Sequence, residues 1–554
     1  MSTQDQLVQE AEASEPAETY RGADLLVDSM VAHDVEVVFG LPGLQLDPVF
    51  DALHERSEHI RVIHTRHEQA ASYMADGYAR ATGKTGCCVV VPGPGLLNAA
   101  SGLATAMATS SPVVGIVADI AATDRGRDRG VLHEIPNQFE VLRAVTKAAI
   151  DVPSAQSIGV SFATAVRQTR QSGTRPVGLQ IPADYLHAEV APTLLRYASD
   201  LNPEPAAPGS FGEALDLIRG AQRPLILVGG GAIADDAGAL ITELAHRLQA
   251  PVIMSRMGRG AVDDRDPLAF TSVMLSRLLP EADVVIAIGS KLLHSSAVLE
   301  EIDPARRPRI IQIDADPMAI GRGVPVTIGL ITGAAAGVQS LLGGLGKVAT
   351  NRDWTEHARR IGDALHAKLM QFTPQAELAT AVRTALPDDG IVISGMTQLG
   401  YWCNVGFPVI RPRTFLSSGY QGTLGFEYAT ALGAKVGSPS TPVVCLAGDG
   451  GFMFNVAELA TAAQHNIAAI AIVFNDGAFG NVRRIQQEQY GGRLIASDLH
   501  NPDFQMLASS FGVDGYHAKN PTELSLTLGR AIEADRPALI EVPVGAMRDV
   551  RILG

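Results

Sequence analysis

The sequence has little of what marks disulfide-bonded, membrane-spanning or nucleic-acid-binding proteins. Its 554 residues include only four cysteines, too few for a disulfide framework, and we expect these thiols to be reduced and to behave as small hydrophobic residues. No apolar run approaches the roughly 18 residues of a membrane span. Asp and Glu number 59 against 44 Lys and Arg, a net charge of −15, which argues against nucleic acid or an anionic membrane as the main partner.

The N-terminal segment also lacks the features of a secretory leader. Residues 1–20 contain no Lys or Arg and include Glu10, Glu12, Glu15 and Glu18, so the basic and apolar regions of a signal peptide are both missing. We therefore expect a disordered acidic lead-in and a cytoplasmic protein.

Short apolar runs alternate with helical stretches along the whole chain, which is typical of parallel α/β sheets. The predicted strands are 35–39, 61–65, 87–91, 113–117, 177–181, 225–228, 252–254, 284–288, 310–313, 391–394, 443–447, 469–474 and 539–542. A Pro-rich stretch at 202–208 indicates a linker. The pattern predicts three doubly wound parallel-sheet domains, at residues 21–190, 209–343 and 370–554.

Polar groups follow two successive strands of the third predicted domain. Gly448-Asp449-Gly450-Gly451 comes directly after the strand 443–447, and Asn475-Asp476 follows the next strand. Gly450 and Gly451 let backbone N–H groups approach an anion, and the carboxylates supply the oxygen ligands that Mg²⁺ prefers beside phosphates. Each motif alone could be an ordinary turn, but their pairing across one strand–helix–strand unit favours a binding site.

The spacing of these two motifs carries a resemblance to a known family. Gly448-Asp449-Gly450, then the 24 residues 451–474, then Asn475-Asp476 resembles the diphosphate- and metal-binding motif of thiamine diphosphate enzymes, which usually have Asn where Asp476 stands. The resemblance implies thiamine diphosphate and Mg²⁺ as cofactors, with Asp449, Asp476 and the backbone carbonyl of Ala478 as metal ligands. It places Gly448, Gly450, Gly451, Phe479 and Gly480 against the cofactor as well.

The other half of the cofactor site is expected in the first domain, where Glu68 opens a helix with an apolar stripe at Ala71, Met74, Ala75, Tyr78 and Ala79. A carboxylate there is at least a favourable partner for the helix dipole. The resemblance assigns more to Glu68, a hydrogen bond to N1′ of the aminopyrimidine. That bond shifts the 4′-amino group to its imino form, which then removes the thiazolium C2 proton.

Further residues are assigned by the same resemblance. Leu424 matches the aliphatic residue that supports the bent cofactor, and the carbonyl of Gly422 would accept a hydrogen bond from the 4′-amino group. Thr397 and Gln398 lie in a segment similar to the second diphosphate loop. Segments around Pro42 and Gly43, and around residues 92–95 with Asn98, resemble the acetolactate synthase-like, pyruvate oxidase-type branch.

Membership of this branch implies an order of domains and an assembly. The first domain would bind the pyrimidine, the third the diphosphate, and the middle domain would lie between them. Because the cofactor of this branch lies between the first domain of one subunit and the third of another, we expect at least a homodimer and, as the usual assembly, a homotetramer.

Several departures from the family's sequence pattern bear on the choice of substrate and on flavin binding. Where acetohydroxyacid synthases have Phe-Gln-Glu, this chain has Leu132-His133-Glu134, and benzaldehyde lyase-like enzymes carry their polar pair in the opposite order to Gln45 and His133. His133 could protonate or orient a carbonyl oxygen; alternatively it is a surface-loop histidine. FAD is not expected, since residues 270–274 replace a Gly-Met-His-Gly segment and Lys291 replaces an arginine of flavin-binding relatives.

The leading functional hypothesis is a carboligase or lyase that acts on 2-oxo acids such as pyruvate, together with an aldehyde or ketone. It would release CO₂ and join the remaining fragment to a second carbonyl compound to give a 2-hydroxyketone. Alternatives are a simple 2-oxo acid decarboxylase, a hydroxyketone or aldehyde lyase, and an FAD-dependent oxidase. A non-catalytic homologue is disfavoured because Glu68, Asp449 and Asp476 are all intact.

Overall fold

Three six-stranded sheets, parallel throughout their pairings, form the framework of the chain. They are seen in a computed structural model that describes residues 20–192, 208–293, 295–348 and 351–550. The predicted lead-in, except for Tyr20, and the predicted linker, except for Pro208, lie outside the described residues. The α/β class and the parallel sheets are confirmed, whereas the residue limits of the three domains stay predictions.

The first sheet has the strand order β2-β1-β3-β4-β6-β5. Its strands are β1 (Val37–Gly40), β2 (Arg61–His64), β3 (Gly86–Val90), β4 (Val113–Asp119), β5 (Ala148–Asp151) and β6 (Val177–Pro182). The helices around it are α1 (Gly22–Ala32), α2 (Asp47–Glu55), α3 (Glu68–Thr82), α4 (Pro94–Thr109), α5 (Gln138–Val145), α6 (Ile158–Arg170) and α7 (Ala183–His187).

The middle sheet has the order β12-β11-β10-β7-β8-β9, which from the other end is the third-second-first-fourth-fifth-sixth order of Rossmann-type sheets. Its strands are β7 (Pro224–Val228), β8 (Val252–Met254), β9 (Ala269–Thr271), β10 (Val284–Ile288), β11 (Arg309–Asp314) and β12 (Ile328–Ile331). Its helices are α8 (Pro208–Gly220), α9 (Gly230–Ala234), α10 (Gly238–Leu248), α11 (Leu275–Leu278), α12 (Ser295–Glu300) and α13 (Ala334–Gly344), followed by α14 (Arg352–Leu369).

The third sheet repeats the topology of the first, in the order β14-β13-β15-β16-β18-β17. Its strands are β13 (Ile391–Ser394), β14 (Phe415–Ser417), β15 (Val443–Gly448), β16 (Ala469–Asn475), β17 (Asp514–His517) and β18 (Ala538–Pro543). Its helices are α15 (Gln375–Ala385), α16 (Gln398–Gly406), α17 (Phe426–Gly437), α18 (Asp449–Phe452), α19 (Glu458–His465), α20 (Gly480–Gln489), α21 (Phe504–Ser510) and α22 (Pro521–Ala534).

Every strand predicted from the sequence is present, and the strands that the sequence did not reveal lie at sheet edges. These are β5, β9, β12, β14 and β17. Most of them are short and only partly buried, so they carry little of the continuous apolar character that marks a central parallel strand. The hydrophobic pattern therefore predicts the middle of each sheet well and its borders poorly.

The first and third sheets share one hydrophobic core through the contact of α3 with α17. The two backbones touch: a Cβ placed on Gly77 would lie 2.1 Å from the carbonyl oxygen of Thr430, and one on Gly433 would lie 2.0 Å from that of Met74. The apolar stripe predicted on α3 is buried here. Small residues at this crossing thus set how closely the two domains approach.

The cysteines behave as the sequence predicts. All four cysteines, Cys87, Cys88, Cys403 and Cys445, are buried and unpaired, and burial raises the pKa of Cys88 to about 12. These thiols stay protonated and act as hydrophobic side chains. Within the described ranges, no helix is both long enough and apolar enough to cross a bilayer.

We predict that Gly77→Ala destabilises the protein by about 1–3 kcal/mol, because the added methyl group would force α3 away from α17. Differential scanning calorimetry should show a lower Tm. Gly529→Ala is the matched control, since a Cβ on Gly529 of α22 meets no atom within 4 Å. That substitution should leave Tm unchanged or raise it slightly, and equal Tm values for the two variants would refute the role of the helix crossing.

Candidate active site

A cavity of about 210 Å³ opens at the carboxyl ends of β13, β15 and β16. Strand order reverses between β13 and β15, and open parallel sheets bind ligands at such points. The cavity is lined by all of the residues predicted for the third domain: Thr397, Gln398, Gly422, Leu424, Gly448, Asp449, Gly450, Gly451, Asp476, Ala478, Phe479 and Gly480. The structure thus brings these residues together, while their individual roles stay predictions.

Two acidic side chains lie side by side in this cavity. Gly448 at the end of β15 pairs in register with Phe474 of β16, so Asp449 and Asp476 follow neighbouring strands. Asp449 is 1% exposed. Burial and the negative charge of Asp449 raise the pKa of Asp476 to about 6, while the N–H of Ala478 partly offsets them. A cation between the two carboxylates would relieve this repulsion.

The donor set fits a hard divalent cation such as Mg²⁺. Two carboxylates are present, and Ala478, whose backbone carbonyl stays the predicted third ligand, lines the same cavity. Among the described residues, no group of three or more His, Cys, Asp or Glu could hold a metal. Mg²⁺ usually binds one or two carboxylates and completes its shell with oxygens of a phosphate and of water, which is compatible with this pair of acids.

Asn501 supports the acidic pair and was not predicted. Its Nδ2 donates to Oδ2 of Asp449 at 2.6 Å and to Oδ1 of Asn475 at 2.9 Å. These bonds connect the ends of β15 and β16 and fix the orientation of the Asp449 carboxylate. No motif near Asn501 in the sequence marks it, because its partners lie far away along the chain.

Two helix N-termini face the cavity and suit an anion. Asp449 begins α18, and Gln398 begins α16, where the side chain of Thr397 accepts the N–H of Gly400 at 2.9 Å. The positive ends of the helix dipoles and the free N–H groups of first turns attract phosphate. Gln398 also donates through Nε2 to Oδ1 of Asn481 at 3.0 Å, which ties α16 to α20.

The first-domain residues occupy the equivalent place in the first sheet. Pro42 and Gly43 follow β1, and Asn98 lies on the helix after β3. Glu68, the first residue of α3, is 8% exposed. Asn98 donates through Nδ2 to Oε2 of Glu68 at 2.9 Å. The structure therefore joins two of the predicted cofactor residues in one hydrogen bond.

Gln45 and His133, predicted as a polar pair, are in contact. Nδ1 of His133 donates to Oε1 of Gln45 at 3.0 Å, and Nε2 of Gln45 donates to the carbonyl of Leu132 at 3.1 Å. The second bond fixes the amide orientation, so Nδ1 of His133 is the donor in this contact and Nε2 is left available to a substrate. His133 is half-buried, has a φ of 69° and is held by its bond to Gln45, while its role toward a substrate stays a prediction.

Within one chain, the first-domain and third-domain halves of the predicted cofactor site remain separate. Among the residues that the structure describes, those lining the cavity lie between Met396 and Met547, and none of the first-domain residues lines it. The domains contact each other elsewhere, where the backbone N–H groups of Arg66 and His67 donate to Glu458. Glu68 is thus not brought into the cavity that holds Asp449.

Three regions of the chain match domain families of one class of enzyme. Residues 20–141 match the N-terminal TPP binding domain of thiamine pyrophosphate enzymes, residues 211–341 their central domain and residues 395–542 their C-terminal TPP binding domain. Thiamine pyrophosphate and thiamine diphosphate are the same compound. Each matched region falls on a different sheet; the central-domain match contains the whole middle sheet, whereas β5, β6 and β13 lie outside the matches to the first and third sheets.

Curated relatives match over nearly the whole chain. The acetolactate synthase large subunit of Parasynechococcus marenigrum is 33% identical over 95% of this chain and 88% of its own length. The probable acetolactate synthase large subunit of Methanococcus aeolicus is 31% identical over 94% and 92%. The probable 2-ketoarginine decarboxylase of Pseudomonas aeruginosa is 31% identical over 95% of both chains. The chain therefore belongs to the thiamine diphosphate-dependent enzymes, among the acetolactate synthase-like members of that family.

Proposed function

We propose that the protein is a thiamine diphosphate- and Mg²⁺-dependent carboligase that acts on 2-oxo acids such as pyruvate and forms 2-hydroxyketones. The cavity that gathers the Gly448–Gly451 loop, Asp449 and Asp476 carries this proposal. The names of the acetolactate synthase relatives support a 2-oxo acid as donor. When bound, thiamine diphosphate would supply a carbon nucleophile for the substrate carbonyl and a sink for the electron pair released with CO₂.

The third domain holds the charged end of the cofactor. We assign Asp449, Asp476 and the carbonyl of Ala478 to Mg²⁺, and the N-termini of α16 and α18 to the diphosphate. Leu424 would support the cofactor, and the backbone carbonyl of Gly422 would accept a hydrogen bond from its 4′-amino group; both residues line the cavity. The diphosphate residues are Thr397, Gln398, Gly448, Gly450, Gly451, Phe479 and Gly480.

The first domain moves the proton that starts the reaction. Glu68 holds a proton at N1′ of the aminopyrimidine, and Asn98 keeps the Glu68 carboxyl in place through its bond to Oε2. Pro42 and Gly43 form the neighbouring wall. His133, whose Nε2 is free to interact because Nδ1 is bound to Gln45, orients the carbonyl oxygen of a substrate.

A second copy of the chain completes the site in this proposal. Apolar side chains stand exposed beside the first-domain half, Leu44 at 63%, Leu97 at 52% and Leu132 at 56%, and beside the third-domain half, Phe454 at 54% and Tyr420 at 62%. Such apolar patches around polar groups mark protein interfaces. We propose a homodimer as the minimal active unit and a homotetramer as the assembly.

A simple 2-oxo acid decarboxylase is the second candidate, favoured by the similarity to the probable 2-ketoarginine decarboxylase. Neither candidate requires a flavin. Lys291, which stands where flavin-binding relatives have an arginine, donates instead to Oγ of Ser110 at 3.1 Å and so connects the middle domain to the first.

Product analysis separates the candidates. The purified protein, supplied with thiamine diphosphate and Mg²⁺, should release CO₂ from a 2-oxo acid and yield a 2-hydroxyketone by chromatography. An aldehyde as the main product would favour the decarboxylase, and no turnover across a panel of 2-oxo acids, aldehydes and hydroxyketones would contradict the proposal.

We predict that Glu68→Gln lowers kcat by about 10²–10⁴-fold, because the amide cannot hold the proton shared with N1′. Folding and the Kd for thiamine diphosphate should change little, since the diphosphate and metal residues are untouched. Steady-state kinetics and calorimetric titration measure the two effects. Glu58→Gln, at an exposed glutamate of the same domain, is the control and should be fully active, whereas undiminished activity of Glu68→Gln would refute the mechanism.

We predict that His133→Ala raises KM for the preferred carbonyl substrate by about tenfold or more, or alters the choice of substrate, without a change in cofactor affinity. The reason is that Nε2 of His133 would no longer orient the carbonyl oxygen. His59→Ala, at an exposed histidine, should leave all kinetic constants unchanged. Identical kinetic profiles for His133→Ala and His59→Ala would show that His133 is a purely structural loop residue.

A further inference from the structure

Glu427 is a buried acid that has no part in the catalytic and cofactor-binding roles proposed above. It lies in the first turn of α17 and is 0% exposed, and neither carboxyl oxygen has a hydrogen-bond partner. Buried polar groups are nearly always paired, because leaving one unpaired costs several kcal/mol. Burial raises the pKa of Glu427 to about 7. The backbone N–H groups of Gly425 and Glu427, which lie nearby but outside hydrogen-bond geometry, offset this effect only in part.

The carboxyl group lies between two loops that border the cofactor cavity. A Cβ placed on Gly451, in the loop after β15, would lie 2.8 Å from Oε1 of Glu427. A Cβ on Gly395, which follows β13, would lie 3.0 Å from its Cδ. Glu427 therefore fills the volume that side chains at both positions would need, and it is in contact with both loops at once.

No cation compensates a negative charge at this place in the described part of the chain. The titratable groups that interact with Glu427 are Tyr73 on α3 and Cys445 on β15, and burial raises the pKa of both, so they are neutral. The helices α18 and α19, which also pack against α17, carry the acids Asp449 and Glu458. An ionised Glu427 would add one more buried negative charge to this environment.

We propose that Glu427 is a positioning residue for the diphosphate: as a neutral acid it holds the two loops at the spacing that the diphosphate occupies, and its ionisation weakens diphosphate binding. The inference rests on the proposed assignment of the cavity to thiamine diphosphate. Ionisation weakens binding because a carboxylate directly behind the loops repels the phosphate oxygens across a medium of low dielectric constant. The effect is small well below the pKa of Glu427, where the acid is neutral, and it grows as pH rises through that pKa.

The test is the Kd of thiamine diphosphate at saturating Mg²⁺, measured by isothermal titration calorimetry between about pH 6 and pH 8.5. The wild-type protein is compared with Glu427→Gln and Glu427→Met, which have similar volume and cannot ionise. The pH dependence that comes from the cofactor, from Mg²⁺ binding and from Asp476 is the same in the wild-type protein and both variants. It therefore cancels when the Kd values are divided. The ratio of wild-type Kd to variant Kd should rise by roughly ten- to thirtyfold across this range.

Asp314→Asn is the matched control. Asp314 is another carboxyl whose pKa burial raises, but it lies at the end of β11 in the middle domain, so its variant should follow the wild-type profile. A ratio that does not change with pH would overturn the inference, even if the variants bind more weakly at every pH. Either variant suffices if the other does not fold. Failure of the wild-type protein to bind thiamine diphosphate at any pH would instead overturn the proposed function.

Discussion

The juxtaposition of Asp449 and Asp476 is the constraint on which the cavity depends. Parallel pairing of β15 with β16 places the two acids at neighbouring strand ends, where burial and mutual repulsion raise the pKa of Asp476 to about 6. Such a pair is stable only near positive charge or in part protonated. The backbone N–H of Ala478 offsets part of this effect at Asp476, the amide of Asn501 donates to Asp449, and a bound cation would relieve the repulsion further. The overall charge of −15 does not prevent anion binding, because these contributions are local.

The repeated topology explains why the site comes in two halves. The first and third sheets have the same strand order, and each places its polar residues at the point where that order reverses. The crossing of α3 and α17 joins these sheets in one core, yet Glu68 stays outside the cavity that holds Asp449. In the proposed assembly, a second copy of the chain brings the half assigned to the pyrimidine to the half assigned to the diphosphate.

Much of the fold and the third-domain half of the site could be predicted from the sequence, since both follow from local patterns. Apolar runs predict central strands, and residues directly after such strands must meet at one sheet edge, which is why Asp449 and Asp476 could be paired. Edge strands such as β9 and β17 are short and half-exposed, so their pattern is weak. Asn501 and Glu427 could not be predicted, because their significance depends on partners brought close only by the fold; in sequence, Glu427 is an ordinary acid in the first turn of a helix.

The central claim, that the active site is completed by a second chain, is tested most directly by mixing two inactive variants. Glu68→Gln disables the half of the proposed site that binds the pyrimidine, and Asp449→Asn disables the half that binds the metal. In a mixed dimer, one of the two sites combines the intact Glu68 of one chain with the intact Asp449 of the other. Random pairing of equal amounts should therefore restore about a quarter of the wild-type specific activity, whereas a mixture as inactive as its separate components would contradict the account.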